Sequence, residues 1–170
     1  MTAVAGAVFT AAQYNTFIRD NDNECPAAKA VTPGAHFAVS ATNQVAERIT
    51  SENAVTASES TSSTTYTVLT TPGPAVTVTT GGKAIVWVTC DLACGTAGQT
   101  ARATFNVSGA TVIAESDALA VRNTTNASLS GSVPSLVSLT PGSNTFTVTY
   151  RTSGASTSTF GNRRILVVPY

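Results

Sequence analysis

Valine and threonine alternate along this chain. Val76-Thr77-Val78-Thr79 and Phe146-Thr147-Val148-Thr149 place an apolar side chain, then a hydroxylated one, at a strict period of two. In a β-strand successive side chains point to opposite faces, so each run buries one face and wets the other. The pattern recurs where Ala103, Phe105 and Val107 alternate with Arg102, Thr104 and Asn106. The chain holds 30 Thr and 17 Ser, whereas only 11% of its residues are charged, against about a quarter in an average soluble domain. Polarity is therefore carried by hydroxyls. A disordered chain is poor in β-branched residues and this one is rich in Thr and Val, so the polar content reads as exposed strand faces. Hydrophobic residues at 42% are enough for a core.

Turn signals divide the second half of the chain. Thr71-Pro72-Gly73-Pro74 precedes the Val76 strand, and Gly81-Gly82 reads as a hairpin turn into the strand over 84–90. That strand, Ala84-Ile85-Val86-Trp87-Val88-Thr89-Cys90, is apolar on both faces, as expected of a central strand or one facing another subunit. Further strands are expected at 66–69, 102–107, 112–114, 133–139, 146–150 and 165–168. Some eight strands with regular turns, and no helical periodicity after Ala57, predict a mainly β fold: an antiparallel β-sandwich, jelly-roll-like, over 60–170.

Two smaller zones precede it. In 1–30, Thr10-Ala11-Ala12-Gln13 fits a capping box, with Phe9 and Tyr14 as the hydrophobic staple. Tyr14, Phe17 and Ile18 extend a narrow apolar stripe, so a short helix is expected over about 10–22, ended before Pro26. In 31–59, a Thr32-Pro33-Gly34 turn leads to a hairpin of 36–39 with 44–49, followed by a polar linker over about 51–63. A short helix and a lone hairpin are each marginal in water. Their apolar side chains require a partner surface, which points to oligomerisation or docking.

Chemistry-bearing residues are sparse. Nine basic and nine acidic side chains cancel, which removes the field expected of a nucleic-acid or anionic-membrane binder. No apolar run is long enough to span a bilayer, and no signal-peptide pattern opens the chain, so synthesis in a cytoplasm without export is expected. Cys90 and Cys94 on an extended strand would lie about 13 Å apart, too far for a disulfide. With Cys25 and His36 they match a zinc set only by count, and buried free thiols are the reading preferred. His36, the one histidine, has no motif around it. Glu115 and Asp117 share a face on an extended strand and resemble paired carboxylates for acid-base work, but a solvated loop or a weak cation site is the reading preferred. Arg163-Arg164 reads as a solvated turn, and Trp87 and Tyr150 as core. The sequons at Asn106, Asn123 and Asn126 arise readily in so hydroxyl-rich a chain. No catalytic residue, metal ligand or cofactor is assigned.

The run Phe9-Thr10-Ala11-Ala12-Gln13-Tyr14-Asn15-Thr16-Phe17-Ile18-Arg19-Asp20-Asn21 resembles an N-terminal motif of virion proteins from actinobacterial phages. Ala28-Lys29-Ala30 and Phe37-Ala38-Val39-Ser40-Ala41-Thr42-Asn43-Gln44-Val45-Ala46-Glu47-Arg48 resemble the segment that follows it in minor tail and other appendage proteins. The β-domain is similar, less specifically, to the domain that comes next. Cys25-Pro26 departs from the family's apolar helix continuation, and His36 stands where a polar or acidic residue is commoner. The resemblance implies a non-enzymatic virion protein: a minor tail protein, or a capsid decoration or head fibre. Its N-terminal segment would anchor a displayed knob. Such appendages are typically homotrimers, in which Phe9, Tyr14, Phe17, Ile18, Phe37 and Val39 would form the anchor and subunit interface. Partners would be sister chains and a tail or major capsid protein, with no nucleic acid and no membrane insertion.

Two other classes compete. A carbohydrate-binding module for host-surface glycan would need exposed aromatics, and aromatics make up only 6% of the chain. A hydrolase would need a polar cluster joining His36 to a carboxylate and a Ser or Cys.

Overall fold

Capping chemistry is visible from the first described residues. The structure is a computed structural model that describes residues 8, 10–19, 25, 29–42 and 44–170, without the side chains of Phe17 and Arg19. It divides into two units, Met1–Glu47 and Arg48–Tyr170. In the first, Thr10 Oγ1 accepts from the Gln13 amide at 3.2 Å and Gln13 Oε1 accepts from the Thr10 amide at 3.0 Å, completing the capping box. The helix it starts is shorter than expected. Helix α1 covers Ala11–Tyr14, and Asn15–Arg19 is π-helical. A regular helix over 10–22 does not form in the described part, and residues 20–24 lie outside it. Asn15, Thr16, Phe17 and Ile18 all favour the helix less than Ala does, and so short a helix gains little cooperativity.

Strands β1 (His36–Ala41) and β2 (Gln44–Arg48) form the expected two-stranded sheet. Glu47 fastens the preceding turn to it. Its Oε1 accepts from the amides of Val31 and Thr32 at 2.7 and 2.8 Å, and these bonds hold its carboxyl below the usual range.

The second unit contains β3 (Ser51–Val55), β4 (Glu59–Thr61), β5 (Ala75–Thr80), β6 (Lys83–Ala93), β7 (Ala101–Gly109), β8 (Val121–Asn123), β9 (Leu129–Ser138), β10 (Gly142–Thr152) and β11 (Ser158–Pro169). All their pairings are antiparallel. One sheet runs β5-β10-β7-β8; the other runs β3-β11-β6-β9, with β4 also on β11. The partners nest: β3 with β11, β5 with β10, β6 with β9 and β7 with β8. The chain is thus laid out like one long folded-over hairpin, which the β6·β11 and β7·β10 pairings divide between two sheets.

Both sheets feed one core. Phe105, Val107, Phe146, Val148 and Tyr150 come from β7 and β10; Val86, Val88, Leu92, Phe160, Ile165 and Val167 come from β6 and β11. Tyr150 and Phe160 meet across the layers with ring centroids 5.0 Å apart. Each such side chain contributes about 1.5–3 kcal/mol by leaving water.

Several expectations change here. Gly81-Gly82 is not a hairpin turn, because β5 and β6 lie in different sheets. It carries the chain over the edge, where a Cβ on Gly81 would stand 2.1 Å from the Tyr170 carbonyl oxygen. Residues 66–69 and 112–114 make single bridges, Thr67 to Tyr150 and Ile113 to Val107, rather than strands. The polar stretch expected as a linker holds β3 and β4, so the division between units falls before Arg48 and not near residue 59. Those strands are held by backbone pairing to β11 and bury none of their side chains, so they lack apolar alternation. Trp87 leaves the core: β6 buries Ala84, Val86, Val88, Cys90 and Leu92, while Ile85 and Trp87 are half-buried on its outward face.

Candidate functional site

The outward face of the β5-β10-β7-β8 sheet carries a cluster of charged side chains. Arg151 on β10 is the register partner of Arg102 on β7, and Arg102 is the partner of Arg122 on β8. The antiparallel bridge of Thr67 with Tyr150 sets Tyr66 beside Arg151. Tyr66, Arg151, Arg102 and Arg122 therefore form one row across four adjacent segments. Inward neighbours on the same strands, Ala101, Ala103, Val121 and Tyr150, are buried, which fixes the row on the opposite face.

Asp117 lies over one end of it. Ser116 caps the 3₁₀ turn Asp117–Leu119 by accepting from the Ala118 amide, and Thr104 Oγ1 donates to the Ser116 carbonyl at 3.1 Å. This delivers the Asp117 carboxylate to Arg151, which grips both oxygens, Nε to Oδ1 at 3.0 Å and Nη2 to Oδ2. Arg102 Nη1 approaches Oδ2 at 3.2 Å and Tyr66 Oη donates to Oδ1 at 2.7 Å. The Arg151 guanidinium also sits 5.2 Å from the Tyr66 ring centroid. The Arg151 fork, then the phenol, hold the Asp117 carboxyl below the usual range. Burial, reinforced by the bond to Asp117, pushes the Tyr66 phenol up to about 12. Asp117 is thus favoured as the carboxylate and Tyr66 as the neutral phenol, with Tyr66, Arg151 and Arg102 converging on one acceptor. Shallow depressions flank the row, one of about 570 Å³ beside Tyr66 and Arg151 and one of about 590 Å³ beside Arg122.

The carboxylates paired by the sequence are separated by function. Glu115 accepts from Asn106 Nδ2 at 2.8 Å, while Asp117 serves the arginines. His36 is half-buried at the start of β1. Cys90 and Cys94 are buried free thiols and Cys25 is exposed; burial pushes the Cys90 thiol up to about 12. Among the described residues no group of three or more His, Cys, Asp or Glu is placed to hold a metal ion, and no helix is long and apolar enough to cross a membrane. Arg163 is not in a solvated turn. It is fully buried, donates Nη1 to the Thr71 carbonyl at 3.2 Å, pairs with Glu59 at 3.4 Å and lies 5.4 Å from the Tyr150 ring centroid. Arg164 is exposed, 3.9 Å from Glu52.

Of the six anchor residues, Tyr14, Ile18, Phe37 and Val39 are exposed; Phe9 and the Phe17 side chain lie outside the described residues. On β1 the buried position is Ala38, between Phe37 and Val39. Sequence reasoning missed the arginine row because its members are 20 and 29 residues apart. Only strand register brings them together. No family model matches the chain, and no curated protein does.

Proposed function

We propose that this is a non-enzymatic phage virion structural protein, a homotrimeric appendage whose N-terminal unit docks on the particle and whose β-unit is displayed as a knob. The observation that carries the reading is the division before Arg48. The unit from Arg48 to Tyr170 has a complete core of its own, whereas Tyr14, Ile18, Phe37 and Val39 of the N-terminal unit leave apolar surface exposed. Such surface is suited to burial against sister chains or a tail or capsid protein. The motif starting at Phe9 supports the phage assignment by resemblance.

We further read the β-unit as a jelly-roll sandwich. Counting β3 and β5–β11 as strands one to eight, the sheets run 1-8-3-6 and 2-7-4-5. That interleaving follows from rolling up the nested pairs into two Greek keys. Viral capsid and lectin domains both use this architecture, so it fits the role without choosing it.

The test is removal of residues 1–47. The remaining β-unit folds, as judged by a cooperative melt, sediments as a monomer, and is absent from purified particles; the full chain sediments as a trimer and is present. Full incorporation of the truncated chain, or a monomeric full chain, would overturn the assignment.

A second reading, attachment to host-surface glycan, is favoured by one observation: Tyr66 with its arginine row presents hydrogen-bond donors on an outward sheet face. No row of exposed Tyr or Trp lies among the described residues, which keeps the structural role first.

A further inference from the structure

Three of the chain's nine basic residues stand side by side on three neighbouring strands. Like charges directly opposite on a sheet are destabilising. In a chain with so few charges, that arrangement is not accounted for by solubility. Nor is it fully compensated. Asp117 joins Arg151 and Arg102, but Arg122 is exposed and has no hydrogen bond or ion pair among the described residues. From Arg48 onward there are seven basic against five acidic side chains, so the β-unit is net positive, and this row is where its positive charge gathers.

Guanidinium is a planar fork that stays charged and matches carboxylate or phosphate oxygens in pairs. Arg122 lines a depression together with Thr124, Thr125 and Ser128. At the other end of the row Tyr66 offers a half-buried ring beside a second depression. At normal strand spacing the row spans about 14 Å, long enough for more than one unit of a polymer. Hydroxyl donors, one aromatic ring and an unpaired guanidinium suit a hydroxylated anion. A nucleic acid would require a longer run of free cations and stacking aromatics.

We propose that the Tyr66–Arg151–Arg102–Arg122 row binds an acidic glycan, a saccharide or polyol chain bearing carboxylate or phosphate groups, with Arg122 taking the anion. This deepens the glycan reading given above and is independent of the virion assignment.

The experiment is calorimetric titration of the full chain with polygalacturonate, polyglycerol phosphate, dextran and single-stranded oligothymidylate. One of the two acidic polymers binds, and which one separates carboxylate from phosphate recognition; dextran and the oligonucleotide do not bind. Arg122→Gln weakens binding by about tenfold or more with an unchanged or slightly higher melting temperature. Arg164→Gln, on the other sheet, leaves binding as it was. The inference is overturned if neither acidic polymer binds, if Arg122→Gln binds as the parent does, if Arg164→Gln costs as much, or if the oligonucleotide binds as tightly. Binding of dextran without the acidic polymers would overturn the acidic site while keeping a glycan role. A chain that binds none of the polymers loses both.

Discussion

The two sheets of the β-unit share one core and present opposite exteriors. Outward on β5-β10-β7-β8 are threonines, asparagine and the arginine row. Thr77 and Thr145 face each other there, oxygens 2.8 Å apart. Outward on the other sheet are two apolar rows in register: Val168, Ile85 and Leu136, then Leu166, Trp87 and Pro134. Leu136 is 63% exposed. The inward faces hardly differ in chemistry. The lesson is that burial demands only apolar side chains of fitting size, and leaves the alternate positions of each strand free for separate tasks.

The largest perturbation should erase the contrast by removing what both faces rest on. Phe146→Ala empties a fully buried site and should cost about 3–5 kcal/mol, read as a lower urea midpoint with anion binding and fold lost together. Acid should come next and act on both sheets, through Asp117 on one and Glu59 and Asp91 on the other. The carboxyls of Asp117, Glu59 and Asp91 are all held below their ordinary values by hydrogen bonds, from Arg151, Thr71 and Ser130 first. A lowered folded-state pKa gives stability that is present above the unfolded value and lost as pH falls through the folded one. Urea midpoints should therefore be flat above about pH 5 and fall below about pH 4. Once Asp117 is protonated the arginines repel one another, so added salt should recover part of the loss. Asp117→Asn should flatten the acid limb.

Smaller changes sharpen the comparison. Thr77→Val should cost about 0.2–1 kcal/mol by losing its cross-strand partner, and a double-mutant cycle with Thr145→Val should recover that coupling. Leu136→Ser, on the apolar face, should stay within about 0.5 kcal/mol in a melt of the unit from Arg48 to Tyr170. A much larger loss would mean that this side chain is covered. Smallest of all, and opposite in sign, Arg122→Gln should stabilise by a few tenths of a kcal/mol, about the size of one relieved like-charge contact.

The strands were legible in the sequence where one face is buried. Val76 and Val78 announce β5, and the apolar run at 84–90 announces the centre of its sheet. Partners were not legible. Gly81-Gly82 looks like a hairpin turn, yet β5 bonds to β10 more than sixty residues later, because pairing is decided by where the core closes. Strands without an apolar face were also missed, as at β3 and β4. Of the candidate site, Asp117 is visible in the sequence only as a neighbour of Glu115, and Arg102 only as an outward strand position. Arg163 was hidden for a different reason: a buried guanidinium is tolerated only because Glu59, the Thr71 carbonyl and the Tyr150 ring converge on it. None of these is near it in sequence.

The nested pairing sets a timetable for assembly. The β7·β8 pair joins strands twelve residues apart and can form early, but every later pair encloses the one before it. Strand β11 is the last to emerge from a ribosome and is bonded to β3, β4 and β6. Until it is free to pair, the β3-β11-β6-β9 sheet lacks one of its two central strands, and β3 has no neighbour in it. Such non-local closure folds slowly, so a newly made chain keeps that sheet incomplete until β11 is free to pair. Loss of β11 would leave that sheet incomplete permanently.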